Sequence, residues 1–296
     1  MRTRLIILFL FISTITSAQT FDWWKNLVNW DGTTHWSKYI KFSPGFMGVN
    51  ALPVPAITNG AIDSVHSFTL TGNLHFSKGD NSQNPTLYGN YCVAKNKVSV
   101  EANWVPVEWF QMSHAMKEKR KVYWKDYYLK KAHGDLTVAV NINLLNKIRD
   151  KIQLALRMGY RYASSDGVGA ARMTNTPGYF FDVSMGKKFS VQSNWKLIAM
   201  MGFYVWQTNN DESRLYQDDA YLTGLGVEYN KNRFRLQTCF AGYFGYFEGY
   251  NDDPIVYRFN IEKRFKRNSW IFRFQQGLHN VHYSSFETGI KFNFGK

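Results

Sequence analysis

Two groups of side chains in this sequence have the types and spacing to act on a solute. The first comprises the cations Arg157, Arg161, Lys196, Arg235, Arg258, Arg264, Arg273 and Lys291 and the carboxylates Glu228, Glu262 and Glu287. Most stand between two apolar or aromatic neighbours. If they converge on one enclosed space, eight cations against three carboxylates favour an anion, held by charge-assisted hydrogen bonds. Charges in a narrow space must also pair to offset their desolvation. An interior locked by its own ion pairs, which conducts nothing, is the competing reading.

The second group is acid and imidazole. Asp252 and Asp253 lie one hairpin before His279 and His282, and a carboxylate facing a histidine can activate water. Such residues are ordinary in exposed loops. The pair His279-x-x-His282 has no third ligand nearby for a metal, no Gly-x-Ser-x-Gly occurs, and His75, His114 and His133 have no serine motif beside them. The reading is therefore of a protein that is not an enzyme, with no catalytic residue, metal or cofactor. Separately, residues 111–134 carry Lys117, Lys119, Arg120, Lys121, Lys125, Lys130 and Lys131 against only Glu118 and Asp126, a stretch suited to phosphates.

The elements that position these residues have a period of two. In 151–163, Ile152, Leu154, Leu156, Met158, Tyr160 and Tyr162 fall on one face, and Gln153, Ala155, Arg157, Gly159 and Arg161 on the other, which is the alternation of a strand. Twelve such segments occur near 66–78, 85–94, 98–110, 135–145, 151–164, 177–187, 194–207, 218–230, 233–247, 254–265, 269–278 and 284–295. Each is long enough to cross a bilayer as a tilted strand. Short polar turns at 95–97, 146–150, 188–193, 230–232 and 266–268 alternate with mostly longer connections at 79–84, 111–134, 165–176, 208–217, 248–253 and 279–283. That rhythm belongs to antiparallel hairpins with turns on one side of a membrane and loops on the other. Tyr160, Tyr162, Phe203, Trp206, Tyr229, Phe234, Tyr246, Phe265, Trp270, Phe292 and Phe294 stand near strand ends, where interfacial girdles form.

Composition agrees. The 296 residues are 45% hydrophobic and include 23 Phe, 18 Tyr and 10 Trp, too much apolar surface for a disordered chain. Mean hydropathy is nevertheless −0.37, and the one long apolar run is at the N-terminus, so helical spans are excluded. Arg2 and Arg4, the apolar run Leu5 to Ile12, and Thr16-Ser17-Ala18 form the three parts of a secretory signal peptide at residues 1–18. Its removal takes two arginines from a chain of net charge +14. Cys92 and Cys239 lie in separate alternating segments, and their spacing requires no disulfide.

Residues 19–65 break the alternation. Phe21, Trp23, Trp24, Leu27, Val28 and Trp30 suit either a short helix at the periplasmic interface or a loop packed by its tryptophans. Tyr39 to Phe42 suit a short strand, which would raise the count toward 14. The stretch around Pro44, Phe46, Pro53 and Pro55 has too many prolines for a central strand and suits a plug entering the lumen, a periplasmic linker or an edge strand.

From residue 66 onward the chain resembles the outer-membrane β-barrel proteins of Gram-negative envelopes. The resemblance rests on the strand rhythm and on Phe286-Glu-Thr-Gly-Ile-Lys-Phe-Asn-Phe294, similar to the C-terminal signal that the barrel-assembly machinery reads, although Gly295 and Lys296 follow it. It implies an all-β, antiparallel transmembrane barrel of about 12 strands with periplasmic turns and extracellular loops. The eight strand cations then line the lumen, and Lys117, Lys119, Arg120 and Lys121 lie in an extracellular loop facing lipopolysaccharide. The expected function is a porin-like channel or narrow transporter for small, anionic solutes. The alternatives are a non-conducting accessory barrel of an envelope complex and a rim-type outer-membrane hydrolase. Partners are outer-membrane lipid, the assembly machinery and envelope proteins, not nucleic acid.

Overall fold

The computed structural model describes residues 22–123, 130–147, 152–209 and 216–294; the signal peptide and the terminal Gly295-Lys296 lie outside them. Fourteen strands form one antiparallel sheet: β1 (His66–Ser77), β2 (Asp80–Ala94), β3 (Val98–Trp104), β4 (Glu108–Met112), β5 (Lys131–Ala132), β6 (Thr137–Lys147), β7 (Ile152–Arg161), β8 (Gly178–Lys188), β9 (Trp195–Gln207), β10 (Gln217–Lys231), β11 (Phe234–Phe244), β12 (Ile255–Arg264), β13 (Asn268–His279) and β14 (Ser284–Phe294). β1 pairs with β2 on one side and with β14 on the other, from His66↔Phe294 to Phe76↔Ser284. The sheet therefore closes into a 12-stranded barrel.

β4 and β5 prolong the wall at the long-loop end. Both β3 and β4 pair with β2, at Leu87↔Trp104 and Gln83↔Trp109. The expected single strand over 98–110 is broken at Val105-Pro106-Val107 because proline offers no N–H to the ladder. The expected connection 79–84 is instead a tight hairpin: β2 starts at Asp80, and Gly79 supplies the positive φ of +84° that a two-residue turn needs.

Register separates the two faces. Outward residues are apolar and accessible, among them Leu225 at 57% and Phe240 at 56% exposure. They meet across strands as aromatic pairs, with Phe181 and Phe203 at 5.2 Å and Phe203 and Tyr221 at 5.4 Å between ring centroids. A belt of large outward apolar side chains around a closed barrel is the surface that a membrane-spanning wall presents to lipid. Trp206 is a correction to the expected girdle. It lies on the inward face of β9, fully buried, and donates its Nε1–H to the Phe42 carbonyl at 2.9 Å.

Helices are few among the described residues: α1 (Asp22–Val28), α2 (His114–Arg120) and two short 3-10 turns. The strand expected over Tyr39 to Phe42 is absent. A 3-10 turn occupies Trp36–Tyr39, capped by His35, whose ring accepts from the Ser37 amide. The helix expected from the tryptophan spacing forms at Asp22–Val28, but at the long-loop end and not on the short-turn side, because its buried Trp24 packs against Tyr123 and donates to the Lys121 carbonyl at 3.0 Å.

Placing arginine at Leu225, mid-strand on the outward face, is expected to cost about 2–4 kcal/mol of stability in a bilayer, whereas Asp219→Arg near the rim costs about 0–1. Denaturant unfolding in lipid vesicles measures both.

Candidate functional site

The lumen is occupied by the chain's own residues 40–63. The segment enters at the long-loop end, where the Gly45 N–H donates to the Asn251 carbonyl at 3.1 Å and the Gly48 N–H to the Ala171 carbonyl at 2.8 Å. It leaves at the short-turn end. There Asn59 donates to both carboxylate oxygens of Glu228 at 3.0 and 3.2 Å, and Asp63 pairs with Lys291 at 2.6 Å. Pro44, Phe46, Pro53 and Pro55 all belong to it.

Wall and segment divide the hydrogen-bonding roles between them. Pro53 and Pro55 remove two backbone donors from the stretch 51–57, whose carbonyls face the wall. The inward wall answers with side chains that donate: Arg157 to the Ala56 carbonyl at 2.8 Å, Arg161 to Ala51, Arg258 to Val54 and Pro55 at 2.5 and 3.0 Å, Gln237 to Ile57 at 3.3 Å and Tyr243 to Leu52 at 2.9 Å. A planar guanidinium spans two successive carbonyls where an ammonium could not. Between these bonds Ile40, Phe42, Met47, Leu52, Val54 and Ile57 are buried with Ile198, Met200, Tyr204, Leu222 and Val256 of the wall in one apolar cluster. Each large aliphatic side chain buried this way contributes roughly 1.5–3 kcal/mol.

Two glycines fix where the segment lies. Gly60 has φ +74°, and a Cβ there would run into the backbone of Gln153 and Gly186; one on Gly186 would run into the Asn59 carbonyl. The backbones meet with no side chain between them.

Register puts all eight cations and three carboxylates named from the sequence on the inward face, and most are paired. Arg157 meets Asp182 at 2.8 Å and Glu101 at 3.8 Å; Arg161 meets Asp135 at 3.9 Å. Glu228 takes Arg235 at 2.8 Å and Lys196 at 3.8 Å, Glu262 takes Arg264 at 3.4 Å and Arg235 at 3.7 Å, and Glu287 takes Arg273 at 2.7 Å. Arg258 differs: among the described residues no carboxylate lies within ion-pair distance, and its guanidinium is bound to carbonyls and to Gln275 at 2.7 Å. The eight-to-three excess is thus smaller than the strand cations alone indicate. Glu101 and Asp182 were readable, since each holds an inward position in an alternating segment. Asp135 opens the expected segment 135–145 on its inward face, although β6 itself starts at Thr137, whereas Asp63 lies outside every alternating segment and gave no such signal.

The segment does not fill the bore evenly. Pro53 and Ala56 stay exposed, and on the wall the inward-facing side chains of Arg273 and Glu287 keep 46% and 20% of their exposure. Water therefore reaches the β13–β14 side of the lumen beside the segment.

The basic loop folds inward. Arg120 is buried on Asp80 at 2.6 Å, and Arg172, unsuspected because it lies in an irregular loop, joins Asp80 at 2.5 Å with Glu108. Lys117 is buried as well. Lys119 stands over the Phe46 ring and Lys121 over Tyr39, at 5.8 and 6.0 Å, so α2 and the residue that caps it grip the entering segment. Lys125 and Asp126 lie outside the described residues. At the rim, His279 and Asp253 do approach, with Nδ1 and Oδ2 at 3.4 Å, in an open cavity of about 460 Å³. Among the described residues no group of three or more ligating side chains could hold a metal.

No family model and no curated protein matches the sequence. In fold, the chain is similar to the COG4313 outer-membrane channel from Pseudomonas putida F1 (TM-score 0.58, 10% identity, 82% of this chain and 100% of that one). It is also similar to the NanC porin (TM-score 0.52, 12% identity, 77% and 100%). At these identities the likeness establishes the fold alone, a closed antiparallel β-barrel of the outer-membrane type.

Proposed function

We propose that the protein is a porin-like channel of the outer membrane whose bore is narrowed by its own residues 40–63, and that it passes small anionic solutes. The observation that supports this most is the division of the lumen: the segment is packed against one part of the wall, while Arg273 and Glu287 stay accessible to water on another. Anion preference draws on Arg258, a guanidinium without a carboxylate partner among the described residues. Loosening the segment also frees donors now spent on its carbonyls, at Arg157, Arg161 and Arg258, and an open positive bore favours anions. A second reading, a non-conducting accessory barrel, draws on the extent of the apolar cluster between segment and wall.

Planar-bilayer recording of the folded protein separates the two. The channel reading expects small unitary currents with anion preference, larger currents when Leu52→Ala and Val54→Ala loosen the segment, and a reversal potential shifted toward cation preference in Arg258→Gln. Silence from wild type and from the loosened variant, both folded, leaves the accessory reading standing.

A further inference from the structure

We infer that residues 22–39 lie on the outer face of the membrane, so that the chain crosses a thirteenth time, as a thread inside its own barrel. The basis is the axial order of contacts. Residues 22–42 touch elements of the long-loop end: Trp24 is edge-on to Tyr123 at 5.3 Å, Trp36 stacks on Tyr123 at 4.9 Å, Asn209 donates to the Ser37 carbonyl, and Lys41 donates to the Gly249 carbonyl at 3.2 Å. Next come Ala171 at Gly48, Arg161 at Ala51, Arg157 at Ala56 and Glu228 at Asn59. Finally Ser64 donates to Asn96, in the short turn between β2 and β3. The thread thus runs from loops to turns, antiparallel to β1, which begins two residues later.

In barrels of this fold the short turns are periplasmic and the longer loops extracellular. The end of the thread carrying α1 is therefore outside. That end is also a knob: α1 and the Trp36–Tyr39 turn bring Trp24, Trp36 and Tyr39 together over the mouth, with Trp24 buried. The other end is covalently the start of β1. A thread with a knob at one mouth and a strand at the other cannot slide free in either direction while the knob is folded. The wall must then close around the thread, or the thread must pass before α1 docks. None of this requires that the barrel conduct, so a silent barrel in the recordings above leaves it intact.

Impermeant maleimide labelling of the full-length protein in intact Gram-negative cells tests it, in a Cys92→Ser/Cys239→Ser background. Asn26→Cys on α1 and Thr33→Cys after it, both exposed sites, are compared with Glu248→Cys in a long loop and Gln192→Cys in a short turn. The expected result is labelling of Asn26→Cys and Thr33→Cys to the extent of Glu248→Cys, with Gln192→Cys reacting only after permeabilisation. Protection of both N-terminal sites in intact cells, with reactivity gained alongside Gln192→Cys on permeabilisation, overturns the inference.

Discussion

Closure of the hydrogen-bonded ladder between β1 and β14 is the constraint on which everything else rests. In hydrocarbon each unpaired backbone N–H or C=O costs several kcal/mol, so a sheet can span only if it has no edge. Eleven successive residue pairs, His66↔Phe294 through Phe76↔Ser284, remove that edge. Closure also decides the inside. Once the first and last strands pair in this register, every alternate residue around the wall points into one enclosed space, and the cations and carboxylates scattered over more than a hundred residues become neighbours.

That enclosed space poses a second problem, because a narrow lumen full of guanidinium groups is costly unless each charge finds a partner. Two solutions are used at once. Some arginines are neutralised by carboxylates on adjacent strands, as Arg157 is by Asp182 and Arg235 by Glu228. Others are satisfied by the threaded segment, which offers them the carbonyl oxygens of Ala51, Val54, Pro55 and Ala56. The same arginine can do both: Arg157 holds Asp182 with Nε and Ala56 with Nη2. The lumen is thus a composite of wall and thread, and neither surface is complete alone.

The wall was legible in the sequence and the thread only as one of several alternatives, for physical reasons. Alternation with period two is local, and strands such as Ile152–Arg161 and Ser284–Phe294 match it almost to the residue. Where proline interrupts the ladder the match fails, as at Val105-Pro106-Val107. The thread has no period, since an extended chain docked by its carbonyls imposes no rule on which side chains repeat. Its prolines excluded a central strand and left a plug, a periplasmic linker and an edge strand open. Trp206 was misplaced because an aromatic residue near a strand end is equally compatible with lipid on one side and with a buried hydrogen-bonding role on the other, and only register decides. The docked position of α1 depends on Tyr123 and Lys121, about a hundred residues away, which no local pattern could report.

The contact of Gly60 with Gly186 acts as an index mark for the thread. Wall and segment touch there backbone to backbone, so the fit tolerates no axial displacement: moving the thread by one residue would bring Asn59 or Ala61 to the place where Gly186 leaves no room for a side chain. A thread held only by side-chain donors to carbonyls could settle in several positions, because carbonyls recur at every residue. The glycine pair removes that degeneracy, and it makes the axial setting of each upstream carbonyl against its arginine a matter of counting from one notch.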